Sequence, residues 1–309
     1  MRTTAHPTFV FVPGGSANAR VWGPLQNGLA LHGHRSYAVD LPGHGDTADH
    51  PAAYYRQPQD LAALADAPSP MRGITLRDNV RHVVDVLRRL APSGPLVLVG
   101  NSLGGLTVTA VANAVPELLD RVVYLSALCL SDSAMVTGEW DVLDDNLLNA
   151  AAERITVPGT ESQGVVRLNW RAGHADPGLF SQLKAAVMAD STDHQFRMLL
   201  DSMDPDENYA VLEEGAVAQA AHWGKVPHTF VRLSEDLSIP LTVQDHMIRK
   251  ADELTPENPF DVRTLEASHV GYFSRPHLFA ALLADLVRET SLPGCGHEWP
   301  ASFPGIVPA

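Results

Sequence analysis

The chain is poor in cysteine, in basic residues and in long apolar runs. Cys129 and Cys295 are the two cysteines among 309 residues. Two thiols make no disulfide framework, so a reduced, cytoplasmic setting is the default expectation. Lysine and arginine total 22 against 36 aspartates and glutamates, a formal net charge of −14. Nucleic acid and anionic membrane surfaces repel such a chain, and neither is an expected partner. No apolar run approaches the roughly 20 residues of a membrane span. After Arg2 the first residues, through Pro7, hold no long apolar region, so a secretory leader is not expected. There is no internal repeat. The 14 histidines are scattered with no Cys/His spacing of a metal site, and neither metal nor cofactor is expected.

What the chain does have is centred on Leu96-Val97-Leu98-Val99-Gly100-Asn101-Ser102-Leu103-Gly104-Gly105. Four apolar residues without alternation read as a buried parallel strand. Gly100 to Gly104 has the form G-x-S-x-G, and the small, apolar and β-branched residues from Leu106 to Ala114 suit a helix packed on a sheet. Strand, tight glycine-flanked turn and helix make a nucleophile elbow. The turn strains the serine backbone and leaves its hydroxyl exposed at a helix N-terminus, where main-chain N–H groups can stabilise an oxyanion.

The surrounding pattern alternates strand and helix. Strands are expected at Thr8–Val12, 35–40, at the elbow, at Arg121–Ala127, His228–Leu233 and Asp261–Leu265, with helices at 25–31, after the N-cap Thr75, at 244–254 and at 276–290. That pattern gives an α/β fold with a mostly parallel, doubly wound sheet. Residues 46–74 read as a long excursion with at most one short helix near 60–65. Between residues 131 and 226 the alternation breaks into helical stretches at 144–154, 178–188, 193–201 and 213–222. The expected organisation is a core of 1–130 and 227–309 with an inserted helical cap of 131–226. The Pro- and Gly-rich 291–309 is expected to lie extended on the surface or disordered.

Taken in order, five motifs resemble the α/β-hydrolase superfamily over nearly the whole core. They are Val12-Pro13-Gly14-Gly15, Asp40-Leu41-Pro42-Gly43-His44-Gly45, the elbow, Arg232 to Asp236 with Ile239-Pro240, and Ser268-His269-Val270 with Ser274-Arg275-Pro276. The acid turn, Gln244 and Met247-Ile248 are most similar to the serine esterase branch of methyl-salicylate-type esterases, hydroxynitrile lyases and related bacterial hydrolases. The resemblance implies an α/β-hydrolase fold and, in chain order, nucleophile Ser102, acid Asp236 and base His269. Asp132, Glu235 and Asp245 are the alternative acids, and His246, His277 and His297 the competing bases. The oxyanion donors expected are the N–H groups of Leu103 and Gly15. A histidine that often braces that loop in the family is absent here.

A cap over the sheet edge should enclose an apolar chamber. Gly14, Trp22, Trp170 and Trp223 are the leading candidates to line it, with Trp140, Phe180, Met188 and Met198 behind them. The expected activity is hydrolysis of a small to medium apolar carboxylic ester or lactone through an acyl-enzyme. A C–C bond hydrolase or thioesterase shares the triad, and a non-catalytic ligand-binding protein shares the scaffold. Lyase activity is not expected, because Val270 and Gly14 stand where the resembling lyases carry lysine and threonine. Ser102 likewise speaks against the aspartate-nucleophile epoxide hydrolases and dehalogenases.

Overall fold

The computed structural model describes residues 6–132 and 146–290. Their strands are β1 (Thr8–Val12), β2 (Arg35–Ala38), β3 (Leu96–Ser102), β4 (Arg121–Ala127), β5 (Val165–Arg167), β6 (Asp206–Asn208), β7 (His228–Leu233) and β8 (Asp261–Leu265). The longer helices are α1 (Gly23–Leu31), α2 (Leu76–Leu90), α3 (Gly104–Ala114), α4 (Leu147–Ile155), α5 (Pro177–Val187), α6 (Asp193–Ser202), α7 (Leu241–Leu254) and α8 (Pro276–Thr290).

Buried apolar residues on both faces dictate the sheet. In β1, Phe9 and Phe11 join one core cluster and Val10 and Val12 the other. Strands hidden on both sides carry unbroken apolar runs, as β1, β3 and β4 do. Six strands pair in parallel in the order β2-β1-β3-β4-β7-β8. Leu25 and Leu29 of α1 and Phe279 and Leu283 of α8 cover one face. Val83 and Leu87 of α2, Val108 and Val111 of α3 and Met247 of α7 cover the other.

The strand order fixes where a ligand can sit. From β1 the chain steps outward to β2 and returns to β3 on the opposite side. A crevice opens between the carboxyl ends of two such strands. Those two ends carry Gly14-Gly15 and Ser102.

Local chemistry sets the helix starts. Thr75 and Asp78 form a reciprocal capping box at α2. Asp176 accepts from Gly178 and Leu179 N–H groups at α5, and Thr192 forms a second box with Gln195 at α6.

Several boundaries differ from the sequence expectation. The strand expected through residue 40 ends at Ala38. The excursion of 46–74 holds two short helices, Ala52–Tyr55 and Leu61–Asp66. The helix expected at 213–222 is instead Tyr209–Glu214, stopped at Gly215, whose φ of 40° breaks the helical path. The inserted segment, described from residue 146, is not purely helical: β5 and β6 pair antiparallel within it. That pair is fastened by Arg167, whose Nε and Nη2 meet the two Asp206 carboxylate oxygens at 2.6 and 2.7 Å while fully buried. Three-residue strands are too short to show an alternating pattern. The tail from 291, Trp140 and Cys295 fall outside the described residues. Among the described residues no helix is long and apolar enough to cross a membrane.

Candidate active site

Ser102 ends β3 with φ of 52°, and α3 begins two residues later. A left-handed backbone is costly for any residue with a side chain, and it persists only where packing enforces it. The packing is visible at Gly104: a Cβ there would meet the Pro13 carbonyl oxygen at 2.4 Å. Helix and β1 exit can touch only because that side chain is missing. Gly14 is equally confined, since its Cβ would lie 2.8 Å from that of Ser102. The loop after β1 therefore lies directly on the serine.

His269 is buried at the start of the loop before α8, four-hundredths exposed. Its Nδ1 lies 2.6 Å from Asp236 Oδ2. An ionised carboxylate only accepts, so in a neutral imidazole held this way Nδ1 is the donor and Nε2 keeps the lone pair. Asp236 follows β7, and each of its oxygens accepts twice. Oδ1 takes the Ser238 and Ile239 N–H groups at 2.7 and 2.8 Å, and Oδ2 takes Ser126 Oγ at 2.5 Å besides the imidazole. A buried carboxylate so fully bonded is fixed in place. Ser126 sits at φ of 40° at the end of β4, which turns its hydroxyl onto the acid.

Asn101 joins the two halves of the site. Its Nδ2 donates to the Leu125 and His269 carbonyls at 2.8 and 3.4 Å, and its Oδ1 accepts from Tyr272 Oη at 3.2 Å. Ser102 and His269 face one cavity of about 560 Å³. Among the described residues no hydrogen bond links Ser102 to His269. Catalytic hydrogen bonds are often long before substrate binds.

The N–H groups of Gly14, Gly15 and Leu103 donate to no other described group, whereas Ser16 N–H is taken by Glu207 Oε2 at 2.9 Å. Glu207, on β6, also meets His44 Nε2 at 3.3 Å and accepts from Asn208 N–H. Burial by itself would lower the His44 pKa, but the Glu207 carboxylate outweighs it and holds the imidazole above its ordinary value. Burial would raise Glu207, and His44 with two N–H donors brings it below the ordinary carboxylate value.

The inserted segment walls the cavity. Leu148 and Ala152 of α4, Val166 of β5 and Leu199 of α6 face Ser102 across it. The end of α5 holds both loops of the acid–histidine pair. Val187 O accepts from Val270 N–H at 2.9 Å, and Ala186 O from Ser238 Oγ at 2.8 Å. Asp190 bonds Ser268 N–H and Oγ and pairs with Arg275 at 2.6 Å.

Of the expected wall residues, Gly14 and Trp170 line the cavity, as do Gly15 and Leu103, expected as oxyanion donors. Trp22 and Trp223 do not, which corrects that expectation. Trp22 is fully buried between Phe11 and Tyr272, with ring centroids 4.7 and 4.2 Å away. Trp223 donates to Tyr124 Oη at 2.8 Å and stacks on His228, beneath the opposite sheet face. Phe180 and Met188 are core residues, and Met198 is half exposed. Of the alternative acids, Asp245 pairs with Arg232 and Glu235 approaches Arg275. His246 contacts Arg249 on the exposed side of α7. Sequence reading did not find Asn101, Ser126, Ser238, His44, Asp204 or Glu207. Their partners lie up to 191 residues away, and no local pattern carries such pairings.

A parallel sheet with a positive-φ serine at a strand–helix elbow is the architecture of a nucleophile elbow hydrolase scaffold. The chain belongs to the alpha/beta hydrolase family, whose model matches residues 9–282. It is similar to a putative chloroplastic methylesterase 11 of Arabidopsis thaliana, 25% identical over 91% of this chain. The chain spans less than two thirds of that protein, 64%. It is also similar to a pyrethroid hydrolase of Sphingobium wenxiniae, 24% identical over 83% of this chain and 79% of the relative. The crystal structure of polyneuridine aldehyde esterase superposes with a TM-score of 0.64 at 20% identity, covering 91% of this chain and 99% of the other, and shares the fold.

Proposed function

We propose that this protein is a serine carboxylic-ester hydrolase acting on small to medium apolar esters or lactones through an acyl-enzyme. The observation that carries the reading is that His269, held 2.6 Å from Asp236, lines one largely apolar cavity with Ser102. The similarity to proteins named methylesterase and pyrethroid hydrolase supports ester chemistry.

In this reading Ser102 Oγ attacks the ester carbonyl carbon while His269 Nε2 takes its proton. Asp236 stabilises the resulting imidazolium. The oxyanion is held by the N–H groups of Leu103 and Gly15. Ser16 N–H is already committed to Glu207, and of the two glycine N–H groups left in this loop the reading assigns the role to that of Gly15. Collapse of the intermediate breaks the carbonyl–alkoxide bond, and His269 returns the proton to the leaving alkoxide. Water then attacks the acyl-serine, giving up its proton to His269, and Ser102 departs protonated as the acid is released. Leucine and valine are the commonest apolar residues of the cavity wall, which favours apolar acyl or alcohol groups.

Turnover of chromogenic esters graded in acyl length tests the reading. Sustained hydrolysis by the parent and a fall of about 10⁴-fold or more in kcat for Ser102→Ala are expected. Near-parental turnover by that variant excludes the nucleophile, and a single stoichiometric burst by the parent indicates a binding protein.

A further inference from the structure

We infer that Glu207 is a positioning residue: carried on the cap strand β6, it holds the oxyanion loop in register through Ser16, with His44 as its counter-ion. The inference rests on the acyl-transfer reading above and assigns the cap a share in the catalytic machinery.

Ser16 follows the donor Gly15 and is clamped on both sides of its residue. Its N–H donates to Glu207 Oε2 at 2.9 Å, and its carbonyl accepts from the Asp204 N–H at 2.8 Å. Both clamps come from the segment Asp204–Asn208. Ser16 is one-hundredth exposed and sits at φ of 56°, a left-handed conformation that a non-glycine residue keeps only under external restraint. Two residues on, Asn18 Nδ2 reaches Ser202 O at 2.7 Å and Asp204 Oδ1 at 3.2 Å. Asp204 Oδ2 also accepts from the Gly45 N–H at 2.9 Å, beside His44. The loop after β1, the turn after β2 and the cap strand thus close into one buried polar cluster.

The carboxylate stands close to the reaction. A Cβ on Gly15 would lie 3.6 Å from Glu207 Oε2. An uncompensated anion at that range opposes a developing oxyanion. His44 Nε2, 3.3 Å from the same oxygen and two-hundredths exposed, supplies the compensating charge. The raised His44 and lowered Glu207 values described above are those of such a pair. The loop thereby has an internal brace.

The test compares Glu207→Leu with Glu207→Gln in the full chain, using a chromogenic ester, a trifluoromethyl ketone as tetrahedral mimic and the carboxylic acid product as ground-state ligand. Glu207→Leu removes the acceptor for Ser16 N–H. It is expected to lower kcat by about 10²-fold, the scale of a 1 Å displacement in an active site, and the ketone affinity by a like factor, with product affinity within about threefold. Glu207→Gln keeps an acceptor for Ser16 and should recover kcat to within about tenfold of the parent. If Glu207→Leu does not fold, the pair Glu207→Leu/His44→Phe removes both buried polar partners together and carries the same expectation. Parental kcat and ketone affinity in the folded leucine variant overturn the inference, as does an equal loss of ketone and product affinity. A parent that itself turns over no ester and takes up no fluorophosphonate at Ser102 overturns the proposed function instead.

Discussion

Asp236 illustrates how much of the site depends on single side chains placed far apart in sequence. Two N–H groups, one hydroxyl and one imidazole converge on it, and its replacement by asparagine leaves the shape but offers Nδ1 the wrong partner. Asp236→Asn is therefore expected to lower kcat by about 10³–10⁴-fold with little change in KM, measured on a chromogenic ester. Trp22 behaves differently. Its stacking on Phe11 and Tyr272 makes it a core residue, so Trp22→Ala should cost about 3–5 kcal/mol in a denaturant titration. Ser102, Asp236 and His269 could be proposed from the sequence because each ends a recognisable strand or opens a recognisable turn. Trp22 was misread because a tryptophan after a ligand loop looks the same from sequence whether it faces the cavity or the core. Ser126, Asn101 and Glu207 were not readable, since each acts through long-range hydrogen bonds.

Elements supply what single residues need in order to meet. The β3–α3 elbow holds because Gly104 admits the Pro13 carbonyl. Gly104→Ala is expected to separate helix and β1, giving a poorly folded protein or one with a Tm several degrees lower and little esterase activity. A matched control is Thr75→Ala, which removes the α2 capping box at a residue that does not line the cavity. It should cost about 1 kcal/mol of stability and leave kcat/KM unchanged. The core elements were legible because strands buried on both faces and amphipathic helices carry strong periodicity, and caps such as Thr75 mark helix starts. The short pair β5–β6 was invisible, although Glu207, Asp206 and Asp204 lie on or beside it. Three residues cannot express a period, and the polar sequence Asp204-Pro205-Asp206-Glu207-Asn208 reads as a loop. It is a strand because Arg167, Ser16 and Gly45 satisfy its side chains.

At the scale of the whole molecule, buried charge couples the segment around β6 to the loops after β1 and β2 and makes stability depend on pH. Glu207 and Asp204 have values below their ordinary 4.5 and 3.8, so their contributions are present above those values and lost as pH falls below them. His44 lies above its ordinary 6.5, so its contribution is full below 6.5 and lost as pH rises through the folded value. The destabilisation caused by His44→Gln, followed by Tm, should be greatest between pH 4.5 and 6.5 and shrink as pH rises through the folded His44 value. A pH-independent difference would show that the His44–Glu207 contact carries no charge. The account as a whole stands on an activated hydroxyl at residue 102, and covalent labelling reads that directly. The protein is treated with a fluorophosphonate, weighed intact and then peptide-mapped. One adduct is expected, on the peptide holding Gly100 to Gly105 and absent from Ser102→Ala, with esterase activity falling in step with the label. Full esterase activity in unlabelled protein, or an adduct on another residue, would contradict it.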